Sequence, residues 1–97
     1  MAFEIYKQDN DYNVSDIYKG EIITLEIIKK YIDLSKLENN DLMCYGIGNE
    51  NNFIEIDYNK KYSLRISIEN DEYFEDLNGD IITELYNKVI EKIGSGS

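Results

Sequence analysis

Alternate side-chain oxygens at Asp9, Asp11, Asn13 and Ser15 have the spacing with which a loop wraps a hard cation such as calcium. The pattern stops short of a binding loop. Val14 stands where the tight turn needs Gly and Gly20 where a bidentate Glu should close the shell, so a solvated loop is expected instead. Asp76, Asn78, Gly79 and Asp80 make a second, shorter oxygen cluster, and helix capping by Asp80 accounts for it. Cys44 has no His to activate it and no cation nearer in sequence than Lys36, eight residues away, so it reads as a small buried hydrophobe. Gly46-Ile47-Gly48 lacks the further Gly and the helix start of a phosphate loop, so it reads as a strand end.

The chain contains no His, which removes imidazole-built zinc sites, Ser-His and Cys-His nucleophile pairs, and a His general base. Paired carboxylates remain as an acid-base option, and among 20 Asp and Glu some pair will be close in space by chance. A glycosidase-like dyad also needs a substrate cleft that a 97-residue domain rarely forms, so no enzymatic activity, metal or cofactor is expected. The stretch that says most is Glu69-Asn70-Asp71-Glu72-Tyr73-Phe74-Glu75-Asp76, with five acids around two aromatics. Its aromatics read either as plugs of the core or as apolar anchors in a charged interface. Neighbours in an extended segment face opposite ways, so Phe74 is expected on the core and Tyr73 on a partner.

These residues must be held by elements that the apolar spacing locates. Ile81, Ile82, Leu85, Tyr86, Val89, Ile90 and Ile93 form one face of an amphipathic helix over 80–93, with Asp80 at its start and a Glu84–Lys88 pair on its outside. Tyr62, Leu64, Ile66 and Ile68 alternate with polar residues, as do Ile54, Ile56 and Tyr58. The short Asn59-Lys60-Lys61 joins the two as an antiparallel hairpin, with Asn59 suited to the left-handed turn position. A third strand fits 42–47. Thr24 as N-cap, Glu26 in the first turn and later lysines favour a helix over 24–37. Residues 3–7 suit a short strand, and 8–20 reads as an Asn/Asp-rich loop.

The expected fold is an α+β two-layer sandwich, a three- to four-stranded antiparallel sheet under two helices in the order (β)αβββα. Residues 1–93 would form a single globular domain, while Gly94-Ser95-Gly96-Ser97 has the composition of an appended flexible linker. The polar sheet face would carry Glu55, Asp57, Ser63, Arg65 and Ser67.

With 20 acids against 10 bases the formal charge is −10, which repels phosphate backbones and anionic lipid, so direct nucleic-acid or membrane binding is not expected. No apolar run approaches the ~18 residues of a bilayer span, and one thiol with no signal-like N-terminus fits the cytoplasm. The same field attracts basic proteins, above all those that handle nucleic acid, although acidity also serves plain solubility. In its size, its Glu69–Asp76 cluster, its Ile/Asn/Lys/Tyr-rich usage and its lack of catalytic residues, the chain resembles two classes of small acidic inhibitors. These are phage anti-CRISPR proteins and the bacterial immunity proteins that neutralise nuclease toxins. Such a resemblance implies a stoichiometric complex that masks a nucleic-acid or PAM-reading site, or blocks a toxin's active surface. The expected docking residues are Glu69, Asp71, Glu72, Tyr73, Glu75 and Asp76, with nearby Glu55 and Asp57. An immunity protein, or a small adaptor or structural subunit, is the alternative.

Overall fold

A computed structural model describes residues 2–94. Among the described residues nine elements run β1 (Phe3–Gln8), β2 (Val14–Gly20), α1 (Leu25–Tyr31), α2 (Leu34–Glu38), β3 (Cys44–Asn49), β4 (Asn52–Tyr58), β5 (Tyr62–Ile68), β6 (Asp71–Asp76) and α3 (Ile81–Lys92). The strands form one six-stranded antiparallel sheet in the order β2-β1-β3-β4-β5-β6. The class is α+β, but the sheet of three to four strands and the two-helix order (β)αβββα are corrected. β2 falls in a segment expected as a loop, β6 lies outside every strand and helix expected from the sequence, and one expected helix is two. Of the linker-like tail, residues 95–97 lie outside the described residues, and none of the described helices is long and apolar enough to cross a membrane.

Each correction has a local cause. Residues 8–20 read as a loop because Asp, Asn and Ser disfavour strands and because a register shift between Ile5 and Tyr6 breaks the alternation of β2. Tyr18 opposes Ile5 while Asp16 opposes Tyr6, which leaves Ile17 as the extra, bulged residue. Asp9 closes the preceding turn: its Oδ1 accepts from the Asp11 and Asn13 amides, both at 2.9 Å, so the alternate oxygens of this loop serve turn geometry. Residues 69–76 fold back as β6 because Glu69 and Asn70 both take positive φ, 50° and 74°, which closes a two-residue hairpin between Ile68 and Asp71. In the β4–β5 turn the left-handed residue is Lys60, not Asn59.

The helix expected over 24–37 breaks at Ile32-Asp33. Thr24 caps α1 through the Ile27 amide, and Asp33 opens α2 by accepting from the Ser35 amide and hydroxyl. A carboxylate that bonds its own backbone two residues on competes with continuous helix. The break also solves a packing problem. At about 100° per residue, Leu37 would lie roughly 180° from Ile28 in an unbroken helix. With the break, Ile28, Ile32 and Leu37 all enter the core.

All three helices pack on one face of the sheet. The inward row Ile5, Ile47, Ile54, Ile66 and Tyr73 runs straight across five strands through the pairings Ile5↔Ile47, Ile47↔Ile54, Ile54↔Ile66 and Ile66↔Tyr73. Its isoleucines are fully buried against Ile28, Leu85 and Val89. Full burial of such a side chain contributes about 1.5 to 3 kcal/mol, so this row and its helices carry much of the fold. Asp80 caps α3 as the sequence predicts, accepting from the Thr83 amide and hydroxyl. Lys88, however, bonds Glu75 of β6 at 2.8 Å and Glu91 at 3.6 Å, in place of the expected partner Glu84.

Candidate functional site

The residues one step out of phase with the core row face the other way, onto a side of the sheet that none of the described helices covers. There the pairings Tyr6↔Gly46, Gly46↔Glu55, Glu55↔Arg65 and Arg65↔Phe74 set a second row directly beside the first. Gly46 is the enabling residue. With no side chain on β3, the Tyr6 ring lies flat across it, and a methyl group at position 46 would run into that ring. The phenol thereby crosses one whole strand and donates to Glu55 Oε2 at 2.6 Å.

Glu55 is filled on both oxygens. Its Oε1 accepts from Arg65 Nε at 3.0 Å and Nη2 at 2.6 Å, and its side chain is only 16% exposed. Arg65 uses its remaining nitrogen, Nη1, on Glu72 of β6 at 3.0 Å, and its guanidinium sits 4.9 Å above the Phe53 ring. Tyr6, Glu55, Arg65 and Glu72 thus form one hydrogen-bonded chain over β1, β4, β5 and β6. Burial, then the bond to Glu55, drives the Tyr6 phenol pKa far above its ordinary value. The phenol therefore stays a donor.

Phe74 ends this row, 68% exposed, on the edge strand between Glu72 and Asp76. The sequence expectation for this pair is reversed: Phe74 points to solvent, while Tyr73 is half-buried against the core with Lys92 5.5 Å over its ring. The reason is parity. Tyr73 opposes Ile66 and so inherits the helix-covered side, and Phe74 opposes Arg65 and inherits the other. Once the segment is a strand, the register of β5 decides which neighbour is buried, and the polarity of the two rings does not.

The expected docking residues divide accordingly. Glu72, Phe74 and Asp76 share the helix-free face with Glu55 and Asp57, whereas Tyr73 and Glu75 face the helices. Glu69 stands in the β5–β6 turn, where its amide donates to Asn52 Oδ1, and Asp71 begins the edge strand. Asp76 is bonded by Lys61 at 2.7 Å and by Ser63 at 3.1 Å, which hold its carboxyl below the usual pKa. Asp57, exposed at the end of β4 opposite Ser63, has no such cation among the described residues: partial desolvation of its carboxyl and the charge of Glu55 raise its pKa, with Arg65 opposing. Cys44 lies on this face as well, buried, its thiol 3.6 Å from Gln8 Oε1. Burial and the neighbouring Glu55 and Asp57 push that thiol up to about 12, so it remains protonated.

The seven acids of the region are met by Arg65, Lys61 and Lys88 only in part, since Asp57, Glu69 and Asp71 have no ion pair among the described residues. What results is a negatively charged surface around Phe74, Arg65 and Phe53. A cleft of about 350 Å³ does open beyond it, between the β3–β4 and β5–β6 turns, lined by Glu50, Asn51, Asn52, Glu69 and Asn70. It has no apolar wall on which a small molecule would bury surface. Tyr6, Gly46 and Phe53 carry no signal of their own in the sequence. Their importance comes from strand register.

Comparison of the chain with protein-family models, with curated proteins and with solved structures finds no match.

Proposed function

We propose that this protein is a non-catalytic acidic inhibitor which binds a basic, nucleic-acid-processing protein of the kind blocked in anti-defence systems, and covers its nucleic-acid or active surface. The observation that carries this reading is Phe74, an exposed aromatic on a helix-free sheet face, held between Glu72 and Asp76 beside the Arg65–Phe53 stack. Aromatic and Arg side chains at the centre of a patch are the residue types that dominate binding energy, and surrounding polar groups exclude water from them. The carboxylates steer a basic partner toward the patch and suppress acidic ones.

The hydrogen bonds within the face favour binding rather than turnover. Glu55 has no free oxygen for proton transfer, and Tyr6 and Cys44 are held neutral. A surface already locked by its own bonds loses little side-chain entropy on docking, which is what a tight stoichiometric binder requires.

The test is titration into cleavage assays with guide-loaded CRISPR nucleases and with nuclease-toxin domains. Cleavage should fall to zero near one equivalent for the true target, and Phe74→Ala should weaken inhibition at least tenfold without changing the melting curve. Neutralising Asp71, Glu72, Glu75 and Asp76 together with Asn or Gln should slow association and flatten its salt dependence. Association rates that do not change between ~50 and 300 mM salt would remove acidic steering. Inhibition confined to a toxin domain would establish the immunity-protein alternative.

A further inference from the structure

β6 is an edge of the sheet, and its pairing with β5 determines which of its backbone groups are already used. The Leu77 amide, one residue beyond the strand, donates to the Tyr62 carbonyl at 3.0 Å. Bonded and non-bonded pairs alternate along an antiparallel ladder. Glu75↔Leu64, Tyr73↔Ile66 and Asp71↔Ile68 are therefore the bonded pairs, and Glu72, Phe74 and Asp76 turn their N–H and C=O groups away from β5. The β4–β5 turn agrees with this phase, since the Asn59 amide donates to Lys61 O and so makes Asp57↔Ser63 a bonded pair on the other side of β5. Among the described residues no hydrogen bond from another segment reaches the backbone of Glu72, Phe74 or Asp76.

The two edges of the sheet are not alike. β2 is bulged at Ile17 and carries Lys19, both of which discourage an incoming strand. β6 is regular, and its sequence Asp-Glu-Tyr-Phe-Glu-Asp has no Lys and no Pro. Its own side chains protect it by negative charge, offset in part by Lys61 on Asp76 and Arg65 on Glu72, and that charge repels acidic strands but not basic ones. The three residues with outward backbone groups are also those whose side chains lie on the helix-free face. Main-chain pairing and side-chain selection would thus fall on the same three positions.

We infer that β6 accepts a seventh strand, an extended basic segment of the partner protein, paired to the backbone of Glu72, Phe74 and Asp76. This rests on the reading under Proposed function and specifies how that partner is held. An added strand places one side chain opposite each of the three, so the selected segment reads basic, any, apolar, any, basic. Its basic residues lie against Glu72 and Asp76 and its apolar residue against Phe74. A second copy of this chain does not fit. Antiparallel pairing of β6 with itself about Phe74 sets Glu72 against Asp76 twice, and like charges directly opposite destabilise a ladder.

The probe is an acetylated, amidated peptide Thr-Lys-Thr-Val-Thr-Lys-Thr, titrated into isotope-labelled full-length protein and followed by amide NMR and hydrogen exchange. In the protein alone, the amides of Glu72, Phe74 and Asp76 should exchange at least tenfold faster than those of Tyr73 and Glu75, and saturating peptide should remove that difference. N-methylation of the peptide's Val and both Lys should weaken binding at least tenfold, whereas N-methylation of its inner Thr residues should change it less than twofold. A peptide with Glu for Lys should not bind. Protection of the three amides before peptide is added overturns strand addition. So does binding indifferent to either methylation pattern with shifts centred on Phe53 and Arg65, although that result would leave the acidic docking face standing. Absence of any lysine-peptide binding overturns strand addition alone, because inhibition of a nuclease in the cleavage assay is an independent readout of the proposed function.

Discussion

The two faces of this sheet are built from the same strands, and often from adjacent residues, yet they are held by different forces. On one side Ile5, Ile47, Ile54, Ile66 and Tyr73 bury their surface under three helices. On the other, Tyr6, Gly46, Glu55, Arg65 and Phe74 lie one residue out of phase and are tied by directional hydrogen bonds, with an aromatic left in water at the end. The apolar row tolerates nothing polar but is forgiving in detail, since any side chain of similar volume keeps most of its transfer free energy. The polar row is exacting in geometry. Tyr6 reaches Glu55 only because β3 offers Gly at the crossing point, and Arg65 stays fixed only while Glu55 and Glu72 hold it from two strands.

The largest effect that would separate the faces is expected at Gly46→Val. The new side chain displaces the Tyr6 ring and breaks its bond to the poorly exposed Glu55. Overpacking and a lost charge-assisted hydrogen bond together should cost about 2 to 4 kcal/mol in denaturant melts. Adding Tyr6→Ala, which clears the ring, should recover part of that loss. If Gly46→Val alone melts like the parent, the Tyr6 ring does not lie across β3.

A smaller effect sharpens the comparison within β6. Tyr73→Ala removes a ring half-buried against the core and should lower stability by about 2 kcal/mol, while Phe74→Ala, at a 68% exposed position, should stay within about 0.5 kcal/mol of the parent. Equal losses at the two positions would mean that Tyr73 and Phe74 do not lie on opposite faces of β6.

The smallest effect is electrostatic. Because partial desolvation and the charge of Glu55 raise the Asp57 pKa above its ordinary 3.8, the folded state holds that proton more tightly than the unfolded chain. The charged form therefore opposes folding at neutral pH, and the penalty is relieved as pH falls through the folded value. Asp57→Asn should raise the denaturation midpoint at pH 7, with the advantage fading under acid and gone below pH 3.8, where both states are protonated. An advantage independent of pH would assign the effect to packing instead of charge.

Much of the molecule is legible in the order of its residues, because burial imposes its own period. The alternation of Tyr62, Leu64, Ile66 and Ile68, the helical spacing from Ile81 to Ile93, and the caps at Thr24 and Asp80 are each decided within a few neighbouring residues, and the structure contains them. The composition likewise gives the negative charge and the absence of His without reference to any fold. Edge strands are harder to read. β2 and β6 bury little, so nothing enforces a clean apolar alternation, and the bulge at Ile17 and the left-handed Glu69-Asn70 turn act against local propensity. The break between α1 and α2 is visible only once Ile28 and Leu37 are required in the same core. The site belongs wholly to this second class. That Phe74 faces water, that Tyr6 meets Glu55 from 49 residues away, and that three backbone positions of β6 find no partner among the described residues all follow from the register between strands. Register is settled by the cooperative packing of a whole sheet on its helices, and a one-residue slip would exchange the two faces.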